Sequence, residues 1–339
     1  MIAERKRILS GMRATNPKLH LGNYEGALRN WVTLQDEGYE MYCMVADYHA
    51  LTTMGSAPQD LAQNSREVAK DFIAGGIDPD KSAVFVQSQV HQHAELQLIF
   101  SMVTGLGKLE RVPTFKEKKA DLAAGVPVSY GLLGYPVLQA SDILLYKPHG
   151  VPVGKDQAAH LELTREIGRS FNSAFGVQVF SDIEDMIGDD ELRSKLPGLD
   201  VDDEGNLRKM SKSYDNCIYI NETPDETAKK IKSAYTTPTK IKLTDPGKPE
   251  GCAVCQYLRL YSPDWKEQWR EDVEGIRGCS QNKNELTECL NEFFRPMRER
   301  RAQLDDATID DILRKGAEKA SERAEQTMQE VREAMNLTR

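Results

Sequence analysis

Two segments far apart in the chain carry side chains suited to holding phosphate groups. The first, Leu19-His20-Leu21-Gly22-Asn23, stands directly before a stretch in which Tyr24, Ala27, Leu28, Trp31 and Leu34 recur at helical spacing. A helix N-terminus offers free N–H groups and partial positive charge, Gly22 lets a nucleotide approach the backbone, and His20 can donate to a phosphate oxygen. The second, Lys209-Met210-Ser211-Lys212-Ser213, follows a turn at Gly205. Two lysines three apart, with small hydroxyl residues beside them, suit a mobile loop that closes over a polyphosphate. Alone, a His-x-Gly is more often structural, and a basic pentapeptide is often a solvated turn. Together, with strands and helices alternating between them, they point to nucleotide chemistry.

That alternation must do the positioning. Ile8-Leu9 leads into Ser10-Gly11 and reads as strand and loop ahead of the first helix. Residues 41–46 form an apolar run ending in Asp47, and residues 83–86 form another ending in Gln87, as expected for strands buried on both faces of a parallel sheet. Residues 58–74, between them, read as helix. The pattern predicts an α/β, doubly wound parallel-sheet (Rossmann-like) domain over residues 1–205, with ligands at the carboxyl ends of the strands. From 206 to 339 the segments are long, charged and helix-patterned, notably 285–303 and 310–335, which predicts an all-helical C-terminal domain. Residues 200–205 are the expected hinge.

With 339 residues, 40% hydrophobic and 29% charged, the chain has ordinary globular usage, which excludes a stapled mini-protein and wholesale disorder. No apolar run approaches the roughly 20 residues needed to cross a bilayer, and Met1 to Arg7 is not followed by a signal-peptide core, so a cytoplasmic protein without membrane contact is expected. The net charge of −9 excludes a basic coat for sequence-independent nucleic-acid binding. RNA contact would have to be local. Arg295, Arg298, Arg300 and Arg301, or the stretch from Lys108 to Lys119, are candidates, although such runs are usually solvated helix faces. The six cysteines are Cys43, Cys217, Cys252, Cys255, Cys279 and Cys289, expected to be reduced. Cys252 and Cys255 have metal-ligand spacing, but a second half built from Cys279 and Cys289 would be irregular for zinc.

The two phosphate-handling segments resemble the HIGH and KMSKS signatures of one class of aminoacyl-tRNA synthetases, and the resemblance covers nearly the whole chain. Gly22-Asn23-Tyr24-Glu25-Gly26-Ala27-Leu28, Tyr135-Pro136-Val137-Leu138-Gln139-Ala140-Ser141-Asp142-Ile143-Leu144-Leu145-Tyr146, Val151-Pro152-Val153-Gly154-Lys155-Asp156-Gln157 and His160-Leu161-Glu162-Leu163-Thr164-Arg165 look like the tryptophanyl-tRNA synthetase family in particular. The resemblance implies ATP between the signatures, with Arg13, His20, Gly22 and Asn23 on one side and Lys209, Met210, Ser211, Lys212 and Ser213 on the other. It implies Lys118 as a third phosphate lysine, Gly154 and Asp156 at the ribose with Lys155 and Gln157 beside them, and Leu196 against adenine. His20, Lys118, Lys209 and Lys212 become the implied catalytic groups. Asp142 would meet the indole nitrogen, in a pocket completed by Tyr135, Gln139, His49, Val151 and Val153.

The implied activity is ATP-dependent activation of L-tryptophan to tryptophanyl-adenylate, with Mg²⁺ accompanying ATP, then transfer to tRNA(Trp) by a homodimer. Some relatives carry an iron–sulfur cluster; Cys252 and Cys279 match two of its ligands, but the full spacing is missing, so neither a cluster nor zinc is expected. The residue types suit this chemistry without the family. A carboxylate is already a nucleophile, so attack at the α-phosphorus needs alignment and neutralisation of charge more than a general base. A buried Asp142 accepting from an indole N–H would disfavour phenylalanine by about 1–3 kcal/mol or more, whereas its bland role would be to cap a helix at Ile143.

The chain also departs from the family. Arg13-Ala14-Thr15-Asn16-Pro17-Lys18 replaces a shorter loop, Lys155 stands for an acid, Gln139 for a methionine and Thr114 for a glutamine. Three other readings remain at this point: a tyrosyl-tRNA synthetase, since Gln139 and Asp142 also suit a phenol; a small-molecule nucleotidyltransferase; and a paralogue that binds tryptophan and ATP without charging tRNA.

Overall fold

β1 (Arg7–Arg13) is the middle strand of a five-stranded, wholly parallel sheet of order β3-β2-β1-β4-β5, in which β2 is Glu40–Ala46, β3 Ala83–Val86, β4 Gly150–Val153 and β5 Glu184–Ile187. The computed structural model describes residues 6–52, 60–120, 127–154, 157–187 and 190–337, apart from the side chains of 118, 187, 191 and 213. Register runs through Ile8↔Met41, Cys43↔Val84 and Ile8↔Gly150. Alternate strand residues enter opposite faces. Ile8, Cys43 and Val84 pack with Trp31 and Phe72 on one side, while Leu9, Met44 and Phe85 pack with Phe100 and Tyr146 on the other. Burial on both faces accounts for the apolar runs at 41–46 and 83–86, both of which are strands as expected.

Strand order reverses at β1, between β2 and β4, and the crevice there lies at the carboxyl ends of the strands. Helical geometry begins at Leu21, right after His20, and continues to Asp36 through a π-helical stretch at Tyr24–Leu28. The helix expected over 58–74 is observed as Leu61–Ala74.

The C-terminal region is mostly rather than wholly helical. β6 (Pro197–Val201) and β7 (Leu207–Lys209) form an antiparallel pair, and Gly205, at φ +84°, makes the turn between them. The segment expected to hinge is thus a hairpin turn, a conformation that glycine adopts at little steric cost. Nor does the core divide at 205. One apolar cluster joins Ile8, Leu19 and Leu21 to Met210, Tyr257 and Phe294. The helices Cys279–Ala302 and Asp306–Ala334 extend the expected 285–303 and 310–335 toward the N-terminus. The last helix lies on edge strand β3 so closely that a Cβ on Gly316 would sit 1.9 Å from the Val84 carbonyl oxygen. This covers an edge that would otherwise be open to pairing.

Three of the four clustered arginines tie the helix Cys279–Ala302 to the helices Leu61–Ala74 and Pro224–Ser233 and are not free for RNA. Arg301 Nε donates to buried Asp71 at 2.7 Å, and Arg300 Nε and Nη2 both donate to the Ala74 carbonyl, at 2.9 and 2.6 Å. Arg298 bonds Thr227 and Asn291, both at 2.9 Å. Arg295 is exposed and pairs with Glu292 and Glu299 on its own helix. In the 108–119 stretch, Lys108 pairs with Glu166 at 3.0 Å.

Candidate active site

A cavity of about 390 Å³ opens at the carboxyl ends of β1, β2 and β4, within the range of about 300–1,000 Å³ common for small-molecule sites. A smaller one of about 210 Å³ shares Gly26, Ala27, Pro152, Val153 and Gly154 with it, so the two form one cleft along the switch point. Val151, Pro152 and Val153 of β4 all line the larger cavity.

The helix Tyr130–Leu145, capped by Ser129 Oγ accepting from Leu132 N at 3.0 Å, supplies the deep wall. Spacings of four and three place Tyr135, Gln139 and Asp142 on one face, and all three line the cavity. Asp142 is only 2% exposed and survives there because donors from three other elements converge on it. Gln87 Nε2 and His93 Nδ1 reach Oδ1 at 2.8 and 2.7 Å, and His49 Nε2 reaches Oδ2 at 2.7 Å. Burial alone would raise this carboxyl; the hydrogen bonds and charges of His49 and His93 outweigh it and hold the group below its ordinary value. His93 Nε2 lies 2.9 Å from the Tyr146 hydroxyl, which ties the ring to a second buried group.

A second network crosses the cavity. Thr114 Oγ1 hydrogen-bonds the Tyr135 hydroxyl and lies 2.7 Å from His160 Nε2. Thr114, where the family resemblance implies glutamine, therefore joins two aromatic groups on the Tyr130–Leu145 and Ala158–Phe175 helices. Gln139 makes no hydrogen bond among the described residues, leaving its amide for a ligand.

Outside the residues that line the two cavities, His20 caps the first helix. Its Nδ1 accepts from Asn23 N at 3.2 Å, while Asn23 Oδ1 accepts from His20 N at 3.1 Å. In the neutral ring Nε2 then carries the proton and can donate to an oxyanion. Burial first, then Lys212 and Lys209, push the ring's pKa down to about 4. A Cβ on Gly22 would stand 3.1 Å from His20 Nδ1, so glycine keeps this turn open.

Backbone pairing brings the two signatures together. Leu21 N donates to Ile218 O at 2.8 Å, Ile220 N to Leu19 O at 3.0 Å, and Gly22 N contacts Met210 Sδ at 3.3 Å. Asn216, 3% exposed, holds the lysine loop: its Oδ1 accepts from Ser211 N, and its Nδ2 donates to Asp200 and to the Lys209 carbonyl. Lys209 is exposed and Lys212 half-buried, and neither forms an ion pair with another described residue. Burial lowers the Lys212 pKa to about 8, with Arg13 adding to the fall.

The cleft thus gathers Arg13, His49, Tyr135, Gln139, Asp142, Val151, Val153, Gly154 and Gln157. The other described residues of the implied ATP site, His20, Gly22, Asn23, Leu196, Lys209, Met210, Ser211 and Lys212, line neither cavity; Leu196 and Met210, at 2% and 3% exposed, pack in the core. Lys155 and Asp156 lie outside the described residues, as do the side chains of Lys118 and Ser213. Sequence reasoning gave no site role to Gln87, His93, Tyr146, His160 or Asn216, although Tyr146 and His160 lie in the segments that carried the resemblance and Gln87 is the first polar residue past a buried strand.

The chain is similar to known proteins along nearly its whole length. A family model described as tRNA synthetases class I (W and Y) matches residues 3–295. The tryptophan–tRNA ligase of Thermotoga maritima is 44% identical over 98% of this chain and 99% of its own. That of Aquifex aeolicus is 37% identical over 98% of this chain and 100% of its own. The crystal structure of tryptophanyl-tRNA synthetase from Campylobacter jejuni, complexed with ADP and tryptophan, superposes with a TM-score of 0.84 at 35% identity, covering 97% of this chain and 99% of that one.

Proposed function

The chain belongs to the class I tRNA synthetases of the W and Y family, and from that premise we propose that it acts as a tryptophan–tRNA ligase through the cleft just described. The observation that carries the substrate is the acceptor capacity of Asp142. A carboxylate offers about four lone-pair positions. Among the described residues Oδ1 takes two donors and Oδ2 one, leaving a place on Oδ2 for an N–H at the cavity wall. An indole N–H supplies it.

Tryptophan would lie between β4 and the Tyr130–Leu145 helix, with Tyr135 and Gln139 near its polar end. Its carboxylate attacks the α-phosphorus of ATP and pyrophosphate leaves. His20 donates from Nε2 to phosphate oxygens, while Lys209, Lys212 and Lys118 neutralise the charge that develops on the leaving group. Mg²⁺ enters with ATP as part of that substrate. Residues 1–205 bind ATP and the amino acid; residues 206–339 bring the lysine loop and the helices that contact the tRNA anticodon, with Arg295 and Arg300 the exposed arginines of their cluster. Amino-acid-dependent exchange of pyrophosphate with ATP, run over all twenty amino acids, tests the assignment: tryptophan should far exceed tyrosine and phenylalanine, and equal exchange with tyrosine would reject it.

A homodimer is supported by apolar side chains exposed on neighbouring helices, Leu98 at 57%, Met102 at 67%, Leu106 at 58% and Tyr130 at 68%. A monomeric mass by light scattering with full aminoacylation activity would contradict it. No helix among the described residues is long and apolar enough to cross a membrane, which supports action in the cytoplasm, where tRNA charging occurs.

A further inference from the structure

The turn that carries His20 rests on a carboxylate that lines neither cavity of the cleft. Asp71, on the helix Leu61–Ala74, is 0% exposed. Its Oδ2 accepts from Leu19 N at 3.0 Å, and its Oδ1 accepts from Arg301 Nε at 2.7 Å. Leu19 directly precedes His20 and is itself buried, so its N–H is shielded from water, and Asp71 is its only acceptor among the described residues. The Leu19 carbonyl is held as well, accepting from Ile220 N at 3.0 Å. Both backbone polar groups of Leu19 are thus fixed, one by the Leu61–Ala74 helix and one by the segment that follows the lysine loop. Burying a lone carboxylate is costly, and desolvation pushes the Asp71 carboxyl up to about 6 against the pull of Arg301 and the Leu19 N–H. The guanidinium that offsets this comes from the helix Cys279–Ala302, where Arg301 Nη2 also donates to Glu67 at 2.5 Å. Docking that helix requires only the guanidinium partner; the second carboxylate oxygen goes instead to the backbone beside His20.

We propose that Asp71 is a positioning residue for adenylate formation: one oxygen holds the Leu19 N–H and thereby aims His20 at the phosphates, while the other takes Arg301 of the C-terminal region as its counter-ion. This rests on the tryptophan-activating function proposed above. Without that acceptor a buried N–H would stand unpaired, and the turn would shift until the N–H found another partner. His20 Nδ1 is already engaged by Asn23 N, which leaves Nε2 as the donor to phosphate, so a displaced turn displaces that donor with it. Misplacing a reacting group by about 1 Å can lower a rate by about 10²-fold. The amino-acid end is spared, because Asp142 and its donors Gln87, His49 and His93 draw on neither Leu19 nor Asp71.

Two double variants of the full chain separate positioning from packing. Asp71→Leu with Arg301→Met replaces the ion pair by apolar side chains, a change that buried pairs often tolerate, but it removes the acceptor for Leu19. Asp71→Asn with Arg301→Met also removes both charges, yet keeps an amide oxygen for the Leu19 N–H. Single-turnover adenylate formation should fall by about 10²-fold in the leucine pair and stay within a few-fold of the native chain in the asparagine pair, while the Kd for tryptophan changes little in either. Hydrogen exchange over residues 19–23 should accelerate in the leucine pair alone. That readout holds whichever amino acid the chain activates, so failure of the substrate assignment and failure of the positioning role are told apart. Should the leucine pair not fold, the smaller Asp71→Ala with Arg301→Met makes the same comparison. Equal rates and equal exchange in the two pairs would overturn the proposal, as would an equally large loss of rate in the asparagine pair with residues 19–23 still protected.

Discussion

At one end of the cleft the buried Asp142 carboxylate already accepts from Gln87, His49 and His93 before any substrate arrives. Outside its lining, Lys209 and Lys212 stand near His20 with no ion pair to a described residue, and burial has pulled the Lys212 pKa down to about 8. The first end is complete except for one acceptor position; the second lacks the anion that would satisfy it. The difference matches what each must do. Discrimination among amino acids needs a carboxylate whose geometry is fixed beforehand, since a wrong side chain is rejected by the bond it fails to make. Acceleration of phosphoryl chemistry needs cations whose interactions grow as charge develops.

Lys212→Ala should have the largest effect. If Lys212 acts in the transition state, single-turnover adenylate formation falls by about 10²–10³ while the dissociation constants of ATP and tryptophan move only a few-fold. A near-normal rate at saturating ATP would make it a binding residue and erase the contrast. Asp142→Asn probes the prearranged end. It keeps the volume but turns three well-paired donors toward a neutral amide, so kcat/KM for tryptophan should fall by about 5- to 150-fold, the equivalent of about 1–3 kcal/mol, and the margin over phenylalanine should narrow. An unchanged margin would show that pocket shape, not the carboxylate, selects the substrate.

Titration of the phosphate end gives a smaller and signed effect. Lys212 must be protonated to act, and its pKa of about 8 means that the charged form declines above that pH. The pH profile of kcat/KM for ATP should therefore fall by up to about tenfold per unit above about pH 8, and Lys212→Arg should remove the decline while restoring only part of the rate. His20, pushed down to about 4, should add no inflection near neutrality. Gln139→Met should do least: with no hydrogen bond among the described residues to lose, it should shift KM for tryptophan by only a few-fold, and a large loss of rate would place Gln139 among the groups that hold the reacting carboxylate.

Much of the framework was legible in the residue pattern. Strands buried on both faces must be apolar at every position, which made 41–46 and 83–86 readable, and a phosphate site at a helix N-terminus is a local device, so Leu19 to Asn23 announced itself. The surroundings of Asp142 were not legible. A polar residue on an apolar helix looks the same whether it caps the next turn or meets three donors; the resemblance put His49 in the same pocket, but Gln87 and His93 come from segments that nothing local links to Asp142.

The sequence alone therefore determined the α/β plan, the two phosphate-handling segments and the side chains offered to a nucleotide and an amino acid, because period, helix ends and residue chemistry are short-range properties of the chain. Only the tertiary structure decided that residues 200–205 turn a hairpin, that Arg298, Arg300 and Arg301 dock a helix, that Asn216 holds the lysine loop, and that Asp142 is both buried and supported. Those outcomes depend on which distant surfaces meet. Periodicity specifies which face of an element is buried, and it is silent on what that face is buried against.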